Sequence, residues 1–250
     1  MPTPVILQER LLTSSNGSGF IHDLTLPSAL TPGSHLIAQL FCAEDITACN
    51  VNGEAGSPAA TTHVNTGIGV INGAWLFSYR TVGGAATGFR FTTATSHFDI
   101  QGRVLEVSNL DAVSPFIDYG LFAETFQATE LDATATSEAG GLALSMFVQS
   151  PIANVTSTRS GFTQSSESSG GVLLQTSLPV AGTSVNAGAT LSSNAGGFPG
   201  GFVATFRAAT GAAPPPAYDL NELRRRENMR QLIESGRLGY HDMLDVRAWV

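Results

Sequence analysis

Lysine is absent from this chain of 250 residues, and all twelve basic residues are arginine. The absence excludes Schiff-base chemistry and a P-loop lysine, because both need an amine side chain. No run of about 18 apolar residues occurs either, so we expect no membrane span and no membrane partner. The N-terminus has no basic segment followed by an apolar stretch. We therefore expect no signal peptide and synthesis in the cytoplasm.

Cysteine is nearly absent, since only Cys42 and Cys49 occur. The pair is compatible with two reduced, partly buried thiols. It is also compatible with a local disulfide, which would stabilise the fold by about 2–3 kcal/mol. Two thiols without a nearby histidine make a poor metal site, and the five histidines are scattered without ligand spacing. We therefore expect no metal site.

Charge is also sparse, at 13% of residues, and its sign is uneven along the chain. Residues 1–210 carry six arginines against fourteen acidic residues, which gives −8. Residues 211–250 carry six of each and are neutral. An acidic body repels phosphate backbones, so the charge pattern predicts no nucleic-acid partner.

Catalytic signatures are missing as well. The sequence contains no Gly-x-Ser-x-Gly, no Walker A motif, no dinucleotide fingerprint and no HExxH. Two carboxylates such as Glu106 and Asp118 could in principle serve a glycosidase, but acidic residues on strands are more often solvated. We therefore predict a protein that is not an enzyme, with no catalytic residues and no cofactor.

What the chain does contain is alternation with a period of two residues, which is typical of half-buried strands. Trp75, Phe77 and Tyr79 alternate with Ser78 and Arg80. Glycine-rich turns separate the strands, and helical periodicity is nearly absent before residue 217. The pattern predicts an all-β fold, an antiparallel β-sandwich. Its strand candidates are Val5–Leu12, Phe20–Leu26, His35–Phe41, Ala74–Val82, Gly88–Thr93, Arg103–Leu110, Gly141–Gln149, Val172–Val180 and a closing strand around Phe202–Arg207.

Two segments of this body have alternative interpretations. Residues 151–170 contain nine Ser or Thr in twenty residues, which favours a long polar surface loop within one sandwich. We therefore assign residues 1–210 to a single sandwich rather than two. Trp75, Phe77 and Tyr79 could form a platform for sugar rings, although aromatic residues on a strand more often form the core.

The order of the strands resembles a known family. A Leu/Ile-rich strand, an aromatic strand and a Phe-x-Phe strand precede the segment Arg103–Asp111, which is followed by Ser114-Pro115. This order resembles the jelly-roll-type β-sandwich modules of tailed-bacteriophage virion proteins, which also occur in some bacterial surface proteins. The resemblance covers most of residues 20–209, and Asn109 stands where the pattern more often has Gly. It implies a jelly-roll-like fold and a structural role in the virion.

A different kind of sequence follows the body. Residues 211–216, Gly-Ala-Ala-Pro-Pro-Pro, predict a semi-rigid linker. Residues 217–250 predict an α-helical attachment tail, in which Asp219 and Glu222 resemble a capping box. Its apolar residues form no single stripe, so we expect the tail to be ordered by a partner. The predicted partner-binding residues are Arg224, Arg225, Arg226, Leu232, Ile233, Tyr240 and Trp249. The three arginines are equally compatible with a solvated helix face supported by ion pairs within the helix.

Together these features predict a bacteriophage virion structural protein. It would be a capsid decoration, a spike or a tail or fibre component, held to the particle by its C-terminal segment. The expected partners are other virion proteins and copies of itself, in a homo-oligomer. The alternative is a carbohydrate-binding module or adhesin that recognises host-surface glycans.

Overall fold

The structure is a computed structural model, in which the chain divides into two compact units, Met1–Thr210 and Gly211–Val250. The described residues all belong to the first unit, and in that part of the chain the structure is all-β with no helix. They are 2–12, 17–18, 21–42, 44–68, 71–81, 85–94, 97–98, 100–123, 129–148, 155–167, 172–192 and 200–210. The predicted linker and helical tail therefore lie outside the described residues.

The first half of the body contains ten strands, and all their pairings are antiparallel. The strands are β1 (Val5–Leu12), β2 (Gly17–Ser18), β3 (Ile21–Thr25), β4 (His35–Cys42), β5 (Ile46–Asn52), β6 (Thr61–Ile68), β7 (Ile71–Arg80), β8 (Gly88–Thr93), β9 (His97–Phe98) and β10 (Ile100–Ser108).

The second half contains eight strands, again paired antiparallel. They are β11 (Phe116–Ala123), β12 (Glu130–Thr136), β13 (Leu142–Val148), β14 (Val155–Thr158), β15 (Thr163–Glu167), β16 (Val172–Ser177), β17 (Ser184–Leu191) and β18 (Gly200–Phe206).

The two halves have the same strand order. In the first half a large sheet, β1-β10-β4-β7-β6, is accompanied by a small sheet, β3-β8-β5. In the second half the large sheet is β11-β18-β13-β16-β15 and the small sheet is β12-β17-β14. If the short β2-β9 pair is set aside, each strand of one half has a counterpart at the same place in the other. The chain thus contains a structural repeat.

Each half forms a sandwich with its own core. In the first sandwich, Trp75 and Phe77 of the large sheet pack in one cluster with Phe89 and Phe91 of the small sheet. In the second, Phe147 of the large sheet packs in one cluster with Ala187 of the small sheet. We expected residues 1–210 to form a single sandwich, and the compact unit is Met1–Thr210. The described strands form two sandwiches within one compact unit.

A third core joins the sandwiches at the seam, which is the interface between the two large sheets. Ile37 and Leu76 of the first sheet cluster there with Leu144, Met146 and Phe202 of the second. The large sheets are consequently the two middle layers of a four-layer stack. This explains why every residue of β4 and β13 is buried, since both faces of these strands are covered.

The serine- and threonine-rich stretch 151–170 also differs from the prediction. It contains β14 and β15, so it is not simply a polar loop. Both strands lie at the edges of their sheets, where one side has no strand neighbour. The described β14 side chains are not fully buried, so this strand carries no apolar alternation that sequence analysis could detect. Threonine nevertheless favours an extended backbone.

Asn109 follows the last residue of β10 and has a left-handed conformation, with φ of 60°. Glycine and asparagine tolerate this conformation better than most residues. Asn109 Nδ2 also donates a hydrogen bond of 3.0 Å to the carbonyl oxygen of Thr3, which holds the N-terminal segment beside β10.

Candidate functional site

The predicted partner-binding residues Arg224, Arg225, Arg226, Leu232, Ile233, Tyr240 and Trp249 lie outside the described residues. Their role in attachment stays a prediction. The described part of the chain contains no helix long and apolar enough to cross a membrane. It also contains no group of three or more His, Cys, Asp or Glu residues placed to hold a metal ion.

Cys42 and Cys49 are both buried in the first sandwich, and no disulfide joins them. Cys42 ends β4 in the large sheet, and Cys49 lies on β5 in the small sheet. Burial raises the pKa of the Cys49 thiol far above its ordinary value, because the thiolate would lose its hydration. A thiol held in this way is a poor nucleophile, and it packs as a small apolar residue.

The aromatic residues of β7 belong to the core. Trp75 is 5% exposed and Phe77 is 2% exposed, and their parallel rings have centroids 5.8 Å apart. Tyr79 is half-buried against the same core. The interpretation of Trp75 and Phe77 as core residues is confirmed, and these two rings offer no platform to a sugar.

The two carboxylates considered for glycosidase chemistry serve different hydrogen bonds. Glu106 is buried and accepts bonds from Gln8 Nε2, the Thr31 amide and Ser34 Oγ at 2.6 to 2.8 Å. These donors lower the pKa of Glu106 and outweigh the opposing effect of its burial. Asp118 lies on β11 of the other sandwich and accepts a bond from the Thr136 amide. Each carboxylate therefore fixes backbone in its own sandwich.

Arg103 is the largest fully buried side chain, and it spans the seam. From β10 it donates to Gln39 Oε1 (2.6 Å) in its own sheet. It also donates to Thr176 Oγ1 (2.9 Å) and the Gln175 carbonyl oxygen (2.8 Å) of the second sandwich. Glu9 Oε1 lies 3.3 Å from its guanidinium. Burial lowers the pKa of Arg103 to about 10 despite Glu9, so the side chain stays charged at neutral pH. A buried cation with these partners fixes the register between the sandwiches.

The junction cleft is a cavity of about 410 Å³ at one end of the seam. The connector from β10 to β11 forms one wall, and the ends of β4, β6 and β7 form the other. Cavities of this size hold small molecules, and they are common where two domains meet. The side chains used below are His35, Thr61, His63, Ser78, Arg80, Ser114 and Phe116, all of which line the cleft.

Strand register explains why these residues meet. His35 of β4 pairs with Arg80 of β7, and Thr61 of β6 pairs with Ser78 of β7. Residues paired across antiparallel strands project from the same face. A register shift in β6 between Thr62 and Val64 places His63 where its Nε2 lies 2.6 Å from Ser78 Oγ. A row of polar side chains thus replaces the apolar seam at this end of the sheet.

The two histidines of the cleft are neutral at pH 7. Burial lowers the pKa of His35 to about 4, with a further contribution from the positive charge of Arg80, while Asp111 opposes the shift. Burial alone lowers the pKa of His63 to about 4. The His63 ring stacks on Phe116 with centroids 4.2 Å apart. Neither ring nitrogen of His35, which is 2% exposed, has a hydrogen-bond partner in the structure.

Ser78 and His63 are placed like a nucleophile and its general base, but the residues around them do not support nucleophilic catalysis. No described carboxylate bonds the other nitrogen of His63, and a pKa near 4 makes its imidazole a weak base. The cleft is better suited to binding than to nucleophilic attack. Sequence analysis missed it because its residues are far apart along the chain and match no motif.

Comparison of the sequence with protein-family models, and with curated proteins, found no match.

Proposed function

We propose that this protein is a non-enzymatic structural protein of a bacteriophage virion. It would be displayed on the particle as a β-sandwich body and anchored through its C-terminal segment. The observation that carries the proposal is the strand order of five plus three strands, present twice. Eight antiparallel strands in two facing sheets resemble a double-sheet jelly roll, and such folds recur in viral capsid proteins and in lectins. Because one fold serves many functions, the argument also uses the features below.

The continuous core across the seam supports a structural role. The two sandwiches share a seam of apolar side chains and are cross-linked by Arg103, so they form one body rather than two domains on a flexible linker. Such a body can project from a surface without a hinge. A virion component that keeps a fixed orientation needs this property.

Edge strands supply surfaces for neighbouring subunits. On β1, at the edge of the first large sheet, Val5, Leu7 and Leu11 are exposed. On β11, at the edge of the second, Tyr119 and Leu121 are exposed. Single exposed apolar residues are ordinary, but rows of them on unpaired sheet edges favour contact with other subunits. These rows support partners among virion proteins, including copies of this chain.

Attachment through residues 217–250 is the second half of the proposal. It is supported by the change in composition after residue 210 and by the sequence features of Arg224, Leu232 and Trp249. In such a tail the guanidinium groups of the arginines would pair with carboxylates on other proteins of the particle. The apolar residues would be buried against it.

Quantitative mass spectrometry of gradient-purified phage particles tests the proposal. We expect the full chain at a constant copy number per particle. A chain that ends at residue 210 should fold and stay soluble but no longer incorporate. Absence of the full chain from intact particles would refute the virion role, whereas incorporation of the shortened chain would place the anchor on the sandwiches.

Glycan recognition is the second candidate. Burial of Trp75 and Phe77 removes the aromatic platform on which that alternative was based. The junction cleft is the observation that still favours it, because its polar side chains suit a small polar ligand.

A further inference from the structure

We propose that the junction cleft binds a sugar-sized monocarboxylate through the guanidinium of Arg80. This inference is independent of the virion role, since a displayed protein and any other protein could both carry such a site. The cleft volume of about 410 Å³ exceeds what a free anion such as acetate would fill. It is within the range that small-molecule sites occupy.

Arg80 is the charged group of the cleft. It is exposed at the end of β7, and no described residue accepts a hydrogen bond from it or forms an ion pair with it. Arg90, Arg103, Arg159 and Arg207 each pair with at least one carboxylate. Guanidinium groups bind carboxylates with two parallel hydrogen bonds. Arg10 donates instead to the carbonyl oxygen and the hydroxyl group of Thr25. A ligand carboxylate would give Arg80 the kind of partner that Arg90, Arg103, Arg159 and Arg207 have within the protein.

The charge around Arg80 favours one negative charge on the ligand rather than two. The lining residues contribute a single cation, because both histidines are neutral at pH 7. Asp111 lies close enough to His35 to affect its ionisation, and residues 1–210 carry −8 overall. A phosphate dianion would have a second charge without a partner in this acidic surrounding. A carboxylate is matched by Arg80 alone.

The other residues that line the cleft suit a ligand that carries hydroxyl groups. Thr61 and Ser114 contribute hydroxyl groups to the rim, and the His63–Ser78 pair lies beside them. His35 is the directly opposite neighbour of Arg80 and has two unsatisfied ring nitrogens. Unsatisfied buried polar groups cost free energy, which a ligand hydrogen bond would recover. A carboxylate bound to Arg80 would place the rest of the ligand beside the His35 ring, because the two residues are directly paired.

The test uses the full chain and a panel of D-glucuronate, D-galacturonate and N-acetylneuraminate, with D-glucose and inorganic phosphate as controls. Binding is followed by titration calorimetry and by the ring-proton NMR signals of His35 and His63. We expect at least one acid to bind and to move both histidine signals. Neither D-glucose nor phosphate should do so. If no acid shifts these signals at millimolar concentration, or if phosphate or D-glucose binds equally well, the proposal is wrong.

Substitutions at Arg80 provide the second readout. Arg80→Gln should weaken binding by about tenfold or more, because the charge-assisted bonds are lost. Arg80→Lys should retain part of the affinity, since lysine keeps the positive charge but cannot donate two parallel hydrogen bonds. The matched control is Arg90→Gln, which removes an exposed arginine of the small sheet whose partner is Asp23. Unchanged binding by Arg80→Gln, or an equal loss in Arg90→Gln, would overturn the assignment. All variants should keep the melting temperature of the unmodified chain.

Discussion

The two sandwiches have the same strand order but fill their cores with different residues. The first core is aromatic, with Trp75, Phe77, Phe89 and Phe91. The second contains small side chains, with five alanines among its buried residues, Ala133, Ala135, Ala143, Ala187 and Ala189. One strand order therefore tolerates two ways of filling the space between sheets. Periodicity and turns specify the order, while the identity of the core residues decides the local packing.

The sandwiches also differ in their chemistry. Residues 116–206 contain no histidine and no cysteine, whereas the first sandwich carries His35, His63, Cys42 and Cys49. It also supplies Arg103 to the seam. The two sandwiches thus share a strand order but not their chemically reactive side chains. This is expected because a fold does not by itself determine which functional sites it carries. The predictions below test this asymmetry.

The largest effect should come from the arginine that joins the sandwiches. Arg103→Ala should lower the free energy of unfolding by about 3–5 kcal/mol, because it removes one partner of a buried charged network. Arg103→Met should cost less, since an apolar side chain of similar length fills the seam without a charge. Urea unfolding followed by circular dichroism measures both.

The matched control for Arg103 is Arg90→Ala. Arg90 and Asp23 form an exposed pair that solvent screens, so this change should have little effect on the free energy of unfolding. If Arg103→Ala is as mild as Arg90→Ala, the seam does not depend on the buried cation.

Acid should weaken the first sandwich before the second. His35 has a pKa of about 4 in the fold, against 6.5 for an unperturbed histidine. Between these values the unfolded chain binds a proton that the folded chain does not, so stability falls as pH falls from 6.5 to 4. The shift corresponds to about 3 kcal/mol for this side chain. His63 acts in the same direction.

Hydrogen exchange followed by mass spectrometry at pH 7 and pH 5 measures this difference. Protection should be lost in β4, β6 and β7 and retained in β16 and β17. The groups that affect His35 are Arg80, which lowers its pKa, and Asp111, which raises it. A His35→Asn and His63→Gln double variant should lose most of the pH dependence in this window. Equal loss of protection in both sandwiches would mean that the histidines are not its cause.

The fold was predictable where apolar residues alternate with polar ones or form short runs bounded by turn residues. The expected strands Val5–Leu12 and Gly88–Thr93 coincide with β1 and β8, and the all-β, antiparallel class is confirmed. The second sandwich was not predicted because the two halves have no repeat that is recognisable in the sequence. Alanine and threonine alternate on β12, and this contrast in hydrophobicity is too weak to indicate a buried face.

The junction cleft was not predictable for a different reason. It depends on the pairing of His35 with Arg80 and on the register shift that places His63 near Ser78. Register is a property of two strands together, and no local pattern around position 35 or 63 encodes it. Arg103 was visible as a residue of a strand, but its burial follows from a second large sheet that sequence analysis did not predict.

A smaller effect should come from overfilling the alanine core. Ala187→Leu should lower the free energy of unfolding by about 1–3 kcal/mol, because the small sheet of the second sandwich packs closely on alanine. Ala181→Leu is the matched control, since Ala181 is exposed in the same sandwich. Thermal melts of both variants measure the difference. Equal melting temperatures of the two variants would show that the second core can accommodate a leucine at position 187.

The smallest effect concerns the cysteines, which occur only in the first sandwich. Because no disulfide joins Cys42 and Cys49, a reducing agent should leave the melting temperature of the full chain unchanged. A Cys42→Ala and Cys49→Ala double variant should lose only about 1 kcal/mol per site, as for a buried methylene. Replacement of both by serine should cost more, because the hydroxyl groups would be buried in an apolar core. A melting temperature that falls with reductant in the full chain, but not in the alanine variant, would reveal a bridge between the two sheets. The first sandwich would then owe part of its stability to a covalent link that the second lacks.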